Sequence, residues 1–166
     1  MRTDESVVVR NLRASDLDAV IELDRRITHS RRRDYFEKKL AEALSKIGIR
    51  VSLAAEVDGR FAGFLLAKVY YGEFGATQPE AVLDTIGVDP DARNCGVAGA
   101  MMRQLRQNLL GLGIRTLRTE VEWKDQALLA WFHRCGFEPS HRFVLDLDLE
   151  QARRREEAAD AIGEAP

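Results

Sequence analysis

The stretch Asp84-Thr85-Ile86-Gly87-Val88-Asp89-Pro90-Asp91-Ala92-Arg93-Asn94-Cys95-Gly96-Val97-Ala98-Gly99-Ala100 reads as strand, turn, loop and helix start. Val82, Leu83, Ile86 and Val88 form an apolar run of strand type, and Asp89-Pro90 ends it, because proline brings no N–H to a ladder and favours a turn. Beyond the turn, Arg93-x-x-Gly96-x-Ala98-Gly99 leads into Met101, Met102, Leu105, Leu109 and Leu112, an apolar stripe at helical spacing that closes on Gly111-Leu112-Gly113. A loop of small residues therefore stands on a helix N-terminus, where free N–H groups and the positive end of the helix dipole favour an anion. Gly96, Ala98 and Gly99 keep large side chains out of the way, and Arg93 adds a formal positive charge.

Three phosphate-binding patterns compete for this loop. A Walker loop needs Lys-Ser/Thr after its glycines, and Ala100-Met101 stands there instead. A dinucleotide fingerprint needs Gly-x-Gly-x-x-Gly, but counting from Gly96 finds Ala98 and then Met101. Glu120 or Glu122 at the end of the next strand would mimic its ribose-binding acid, which keeps a nicotinamide-dependent oxidoreductase as a second alternative. The third pattern, Gln/Arg-x-x-Gly-x-Gly/Ala between a strand and a helix, matches position for position. It resembles the pyrophosphate loop of the GCN5-related N-acetyltransferases (GNAT), which hold acetyl-coenzyme A.

A chain of 166 residues is long enough for one domain with a substantial core and short for two. With 45% hydrophobic and 31% charged residues the composition is ordinary globular, and no apolar run reaches membrane-span or signal-core length. The reading is a cytoplasmic protein. A net charge of −2 argues against nucleic acid or an acidic membrane as partner. Cys95 and Cys135 form neither a metal-like spacing nor a disulfide framework, so no metal is expected.

In chain order, Val7 to Arg10 is a short strand, and Ser15 with Asp18 resembles the N-cap of a helix that buries Leu17, Val20, Ile21 and Ile27. The basic triplet Arg31-Arg32-Arg33 connects it to a second helix carrying Phe36, Leu40, Ala43, Leu44 and Ile47, which stops at Gly48. From Val51 to Val57 the period is two, Asp58-Gly59 signals a hairpin, and Phe61 to Tyr71 is apolar enough for a central strand covered on both faces. Gly72 to Pro79 is a loop. Ile114 to Trp123 reads as a strand, Gln126 to Cys135 as a short helix, and Phe143, Leu145, Leu147 and Leu149 alternate with Asp146, Asp148 and Glu150 in a final strand. The division is a single domain over 1–150 and a charged tail over 151–166, a frayed helix or disordered.

This order resembles the acetyltransferase family from about residue 7 to 149, and a second motif joins the first. Asp125-Gln126-Ala127-Leu128 through Phe132 to Gly136-Phe137 is similar to the family's Asn-x-x-Ala, Tyr and Gly-Phe, with Asp125 for Asn and Phe132 for Tyr. The resemblance implies an α/β (α+β) GNAT fold, a mixed sheet of six to seven strands with four flanking helices, splayed between strands four and five. It implies that the backbone of Ile86, Gly87 and Val88 holds the pantetheine arm and that Arg93, Asn94, Cys95, Gly96, Val97, Ala98 and Gly99 hold the pyrophosphate. Asp125 and Phe132 complete the coenzyme site, and a homodimer is a family expectation.

Acetyl transfer needs a neutral amine, a base, oxyanion donors and a departing thiolate. Glu120 is the first candidate base: in the branch that acetylates protein N-termini, including the ribosomal-protein alanine acetyltransferases, a Glu stands twelve residues before the Tyr, as Glu120 does before Phe132. Asp84 is its rival, since other branches place the base on the fourth strand. A carboxylate buried among apolar strand residues would have the raised pKa that suits a base. Phe132 cannot protonate a thiolate. Cys135 shares its helical face, and a thiolate is also able to leave to solvent. Tyr70, Tyr71, Phe74 and Trp123 fall near strand ends that frame an acceptor cleft, and the arginine triplet is either an anion-attracting patch or a solvated corner. The reading is an acetyl-CoA-dependent N-acetyltransferase acting directly on a peptide N-terminus, lysine or small amine. The alternative is a weakly catalytic coenzyme A-binding sensor, for which Phe132 speaks.

Overall fold

The computed structural model describes residues 7–45, 48–75 and 77–163, without the side chains of Phe74 and residues 160–163. The helix position assigned to Ile47 and the acceptor role assigned to the Phe74 side chain therefore lie outside the described residues. One compact unit ends at Cys135 and a second begins at Gly136.

In the first unit, β3 (Arg60–Tyr70) is buried without a break from Ala62 to Ala67, as its continuous apolar run requires. It pairs antiparallel on one side with β2 (Leu53–Val57) and on the other with β4 (Glu80–Val88). The β2–β3 turn is Asp58-Gly59 with both φ positive, 50° and 76°, the geometry that a two-residue hairpin needs. β1 (Val7–Asn11) adds antiparallel to β2, and β5 (Thr116–Thr119) adds parallel to β4, giving the order β1-β2-β3-β4-β5.

Neighbouring residues of β3 identify what covers each face. Phe64 joins a cluster with Val20, Ile21 and Leu23 of α1 (Leu17–Thr28), Phe36 and Leu40 of α2 (Arg33–Ala43), Leu66 of β3 itself and Leu12, and its ring meets that of Phe36 edge-on at 5.7 Å. Gly63 faces the other way. A Cβ there would stand 2.9 Å from Val97 Cγ1 and 3.0 Å from Met101 Cε, so this glycine lets α3 (Val97–Gly111) lie close on the opposite face. Val97, Met101, Met102, Leu105 and Leu109 of α3 are all buried. The unit closes with α4 (Gln126–Arg134).

Several local expectations change. The first helical segment is not capped by Ser15: it is a single turn over Ala14–Asp16 with Arg13 as its N-cap residue, whose N–H donates to Asp16 Oδ2 at 2.8 Å, and Arg10 reaches both carboxylate oxygens at 2.8 Å. Burial pushes the Asp16 carboxyl up, but the Arg10 guanidinium and the Arg13 N–H together hold it below the usual carboxylate range. α2 ends at Ala43, short of Gly48. The period-two reading of 51–57 assigned Ser52 and Ala54 to a second face, and both are buried. The Ser52 hydroxyl donates to Ala67 O at 3.2 Å and accepts from Ala67 N at 3.1 Å, replacing water with backbone partners.

In the second unit the expected strand over 143–149 is absent. Residues 142–148 carry no ladder, and Phe143 and Leu145 are 93% and 89% exposed. A strand exists only through its pairing, and among the described residues this segment pairs with no other. Asp148, read as the polar face of that strand, instead accepts from Gln151 N at 3.0 Å at the start of α5 (Leu149–Gly163). Among the described residues the sheet thus has five strands, fewer than the six to seven expected, and the chain forms five α-helices. Among the described residues no helix is long and apolar enough to cross a membrane.

Candidate active site

The site starts from where β4 and β5 stop pairing. Their parallel ladder runs only from Glu80 opposite Thr116 to Leu83 opposite Thr119, where Thr119 Oγ1 donates to Leu83 O at 2.9 Å. β5 ends there, while β4 continues to Val88 on its own. The two chains form a fork. The next residues above its last rung are Asp84 on one strand and Glu120 on the other, the two candidate bases.

The free edge of β4 carries backbone groups that nothing in the sheet uses. Asp89 N–H donates to Ala62 O at 2.8 Å, and Gly87 stands opposite Phe64. Alternation in an antiparallel ladder then turns the N–H and C=O of Ile86 and Val88 away from β3, toward the open side. At about 3.4 Å per residue, the edge from Asp84 to Val88 is roughly 13 Å long, room for an extended arm to lie as an extra strand.

The mouth of this slot is the loop before α3. Asn94 and Gly96 take left-handed backbone, φ 66° and 77°, and Gly96 is the N-cap residue. The leading N–H groups of α3, on Val97, Ala98 and Gly99, have no carbonyl one turn earlier within the helix, the usual basis of an anion site. Arg93 is exposed beside them. Arg103, which the sequence reading passed over, joins them: a Cβ on Gly99 would lie 3.4 Å from Arg103 Nη1. Its spacing of four from Gly99 was the available signal. The turn that aims the loop is tied to α1, because Arg26 bonds Asp89 at 2.6 Å and Asp91 at 2.7 Å.

At the crotch of the fork β4 carries a bulge. Leu66 faces Thr85 but Ala67 faces Leu83, so Asp84 is the extra residue. Plain alternation from Gly87, which faces Leu23 and Phe64, would aim Asp84 at the α3 side. The bulge re-aims it toward α2, where Lys39 Nζ donates to Asp84 Oδ1 at 2.9 Å, and Thr85 Oγ1 donates to Asp84 Oδ2 at 3.0 Å. The hydrogen bond to Asp84 raises the Lys39 pKa above the ordinary lysine value, against the opposing effect of burial. Beside the pair lies a cavity of about 50 Å³, bounded by Leu66, Lys68, Tyr70 and Val82 of the sheet. Lys39 also escaped the sequence reading, since only the packing of α2 on β4 brings it to Asp84.

The other anticipated residues divide. Glu120 lies beyond β5 and is exposed, as are Asp84 and Glu122, so the buried carboxylate expected of the base is found at neither candidate. β5 covers four residues of the anticipated 114–123 because its partner strand leaves it at the fork. Asp125 caps α4 by accepting from Leu128 N at 3.0 Å. Phe132 is buried, with its ring edge-on to Trp131. Burial pushes the Cys135 thiol above its ordinary value. Of the aromatics, Tyr70 lines the cavity, while Tyr71 and Trp123 are largely exposed. The arginine triplet is partly spent within the protein: Arg32 bonds the buried Asp24 at 2.5 Å, and Arg33 bonds Asp18 at 2.8 Å.

A mixed sheet that forks between two parallel strands, with a glycine-bearing helix N-terminus at the mouth of the fork, lacks the Lys-Ser/Thr of a nucleotide-hydrolase loop and the three-glycine turn of a dinucleotide-binding sheet. The model of the acetyltransferase (GNAT) family matches residues 17–137, and the chain belongs to that family. By that membership it is an N-acetyltransferase. Among solved structures, the aminoglycoside N-acetyltransferase AAC(6')-Iy in complex with CoA is similar with a TM-score of 0.74 at 19% identity, over 90% of this chain and 99% of that one. A ribosomal-protein alanine N-acetyltransferase from Escherichia coli gives 0.67 at 24%, over 81% and 79%. The aminoglycoside 6'-N-acetyltransferase AAC(6')-Ih from Acinetobacter baumannii gives 0.70 at 18%, over 86% and 98%. At these identities the likeness is one of fold.

Proposed function

We propose that the protein acetylates a primary amine at the crotch of the β4–β5 fork, with acetyl-CoA lying along the free edge of β4. The observation that carries this reading is the register: pairing stops at Leu83 and Thr119, and the open edge runs from Asp84 up to the loop on α3. In this reading the pyrophosphate sits on the N–H groups from Arg93 to Gly99, with Arg93 and Arg103 offsetting its charge. The pantetheine arm bonds the outward N–H and C=O groups of Ile86 and Val88. An arm laid downward from the loop ends where the fork closes, which brings the thioester level with Asp84.

The acceptor ammonium gives up a proton to Asp84, directly or through water, and the free amine attacks the thioester carbonyl. The carbon–sulfur bond breaks, the attacking nitrogen loses its second proton to water to give the amide, and the coenzyme leaves as a thiolate, which takes a proton from solvent because Phe132 has none to give. Asp84 is preferred to Glu120 because the bulge aims it at a cavity. Asp84→Asn is expected to lower kcat at least about tenfold, or 1.4 kcal/mol of barrier, with coenzyme affinity retained, and Glu120→Gln to do less. The reverse ranking would return the role to Glu120.

Thermal-shift titration with acetyl-CoA, coenzyme A, NADH and ATP tests the cosubstrate. At a hundredfold excess over Kd a ligand adds about 2.7 kcal/mol, a midpoint rise of about 5–11 °C for a protein of this size. A rise with NADH and not with the coenzyme A pair would overturn the assignment. The buried phenylalanine at 132 favours a second reading, a coenzyme A-binding module with little turnover; tight binding without transfer to any amine of a broad panel supports it. An amine on a small molecule, a lysine or a peptide N-terminus all fit the chemistry.

A further inference from the structure

Lys39 is placed where the proposed reaction puts an ammonium that is not its own. Its Nζ donates to Asp84 Oδ1 at 2.9 Å, and the Tyr35 ring, one turn earlier on α2, has its centroid 5.6 Å from the same nitrogen. One carboxylate oxygen and one aromatic face are the groups that recognise a primary ammonium. Both partners remain about a third exposed, 32% for Lys39 and 36% for Asp84, so the pair is cheap to break and a long lysine stem is free to swing out. The adjoining cavity offers space beside the ammonium for the first carbons of a ligand chain. A lysine serving only to pin α2 to β4 would need neither the bulge that turns Asp84 toward it nor the cavity next to it.

We propose that the Lys39 ammonium is a tethered stand-in for the acceptor: Asp84 and the Tyr35 ring form the docking site of a primary alkylammonium, and the acceptor reaches the fork by displacing Lys39 from it. The placement at the reacting centre rests on the acetyl-transfer reading above; the ammonium site itself does not. Lys39 is then a specificity residue. It keeps neutral or weakly held ligands out and admits those whose cation competes for Asp84.

Cavity complementation separates these points, with n-propylamine, protonated near neutral pH, as the probe. Lys39→Ala in the full chain removes the tethered ammonium. Propylammonium chloride is expected to raise its melting temperature saturably over an equal concentration of sodium chloride, while the wild type responds only at higher concentration and the double variant Lys39→Ala/Asp84→Asn does not respond. With acetyl-CoA added, Lys39→Ala is expected to acetylate propylamine with a KM at least about fivefold below that of the wild type, a factor worth about 1 kcal/mol. Equal responses in the single and double variants, or none in either, overturn the docking site. An unchanged or higher KM overturns the displacement. If Lys39→Ala folds poorly, Lys39→Met keeps the stem without the charge and should show the same gain, whereas Lys39→Arg should show none. The melting arm uses no coenzyme, so it stands if acetyl transfer fails; a coenzyme that does not shift the wild type counts only against the transfer reading.

Discussion

Gly96 and Gly113 bracket α3 with nearly the same backbone, φ 77° and 76°, and a Cβ on either would meet no heavy atom within 4 Å. Replacing either by alanine therefore carries one local cost, that of holding an L residue in the left-handed region, about 1–2 kcal/mol. At about 2–4 °C per kcal/mol, each variant should melt about 2–8 °C below the wild type. Their effects on the coenzyme should differ. At Gly96 the strain falls on the residue that opens α3, and relaxing it would move the N–H groups assigned to the pyrophosphate; at Gly113 the same strain falls at the far end of the helix. Calorimetric titration with coenzyme A should show Gly96→Ala weaker by at least tenfold, about 1.4 kcal/mol, and Gly113→Ala unchanged. If both variants lose stability equally and Gly96→Ala still binds like the wild type, the loop does not hold the pyrophosphate. Equal loss of affinity in both would mean that strain, transmitted through α3, and not contact explains it.

Gly87→Ala should do the opposite of Gly96→Ala. Its Cβ would stand 2.7 Å from Phe64 Cε1 and 3.2 Å from Leu23 Cδ2 in a closed core, an overpacking worth about 1–3 kcal/mol. Coenzyme affinity of the folded fraction should hold, because the methyl points at α1 and not at the slot; weaker binding with unchanged melting would contradict that orientation. Asp16→Asn should cost about 1–3 kcal/mol at pH 7 by removing a charged partner from Arg10 and Arg13. Because folding lowers the Asp16 pKa, its contribution is complete above the unfolded value of about 3.9 and is lost as pH falls through the lower folded one. The difference between variant and wild type in urea unfolding should therefore shrink below pH 4, and a gap that stays constant in acid would refute the ion pair as its cause.

What the chain alone determined is what local chemistry decides within a few residues. Two positive φ values at Asp58-Gly59 make a hairpin, proline after Asp89 ends a strand, and small residues before an apolar stripe open α3 on a bare N-terminus. The buried run of β3 and the order of elements up to α4 follow from the same rules, and the family resemblance rested on those residues. Partner-dependent features were out of reach. A strand exists only beside an edge, so the alternation from Phe143 to Leu149, convincing as a pattern, produced no ladder, and β5 stopped at Thr119 where β4 turned away. The bulge at Asp84 is a mismatch between two strands and has no signature in either one. Because a one-residue shift reverses every side chain beyond it, that mismatch decides which face of the sheet receives the carboxylate. Lys39, forty-five residues away in the chain, meets it only because α2 packs across β3 and β4. The end of the fork proposed for the coenzyme is consecutive backbone and is legible in the sequence; the end proposed for the acceptor is built from side chains of separate elements, which only the tertiary structure brings together.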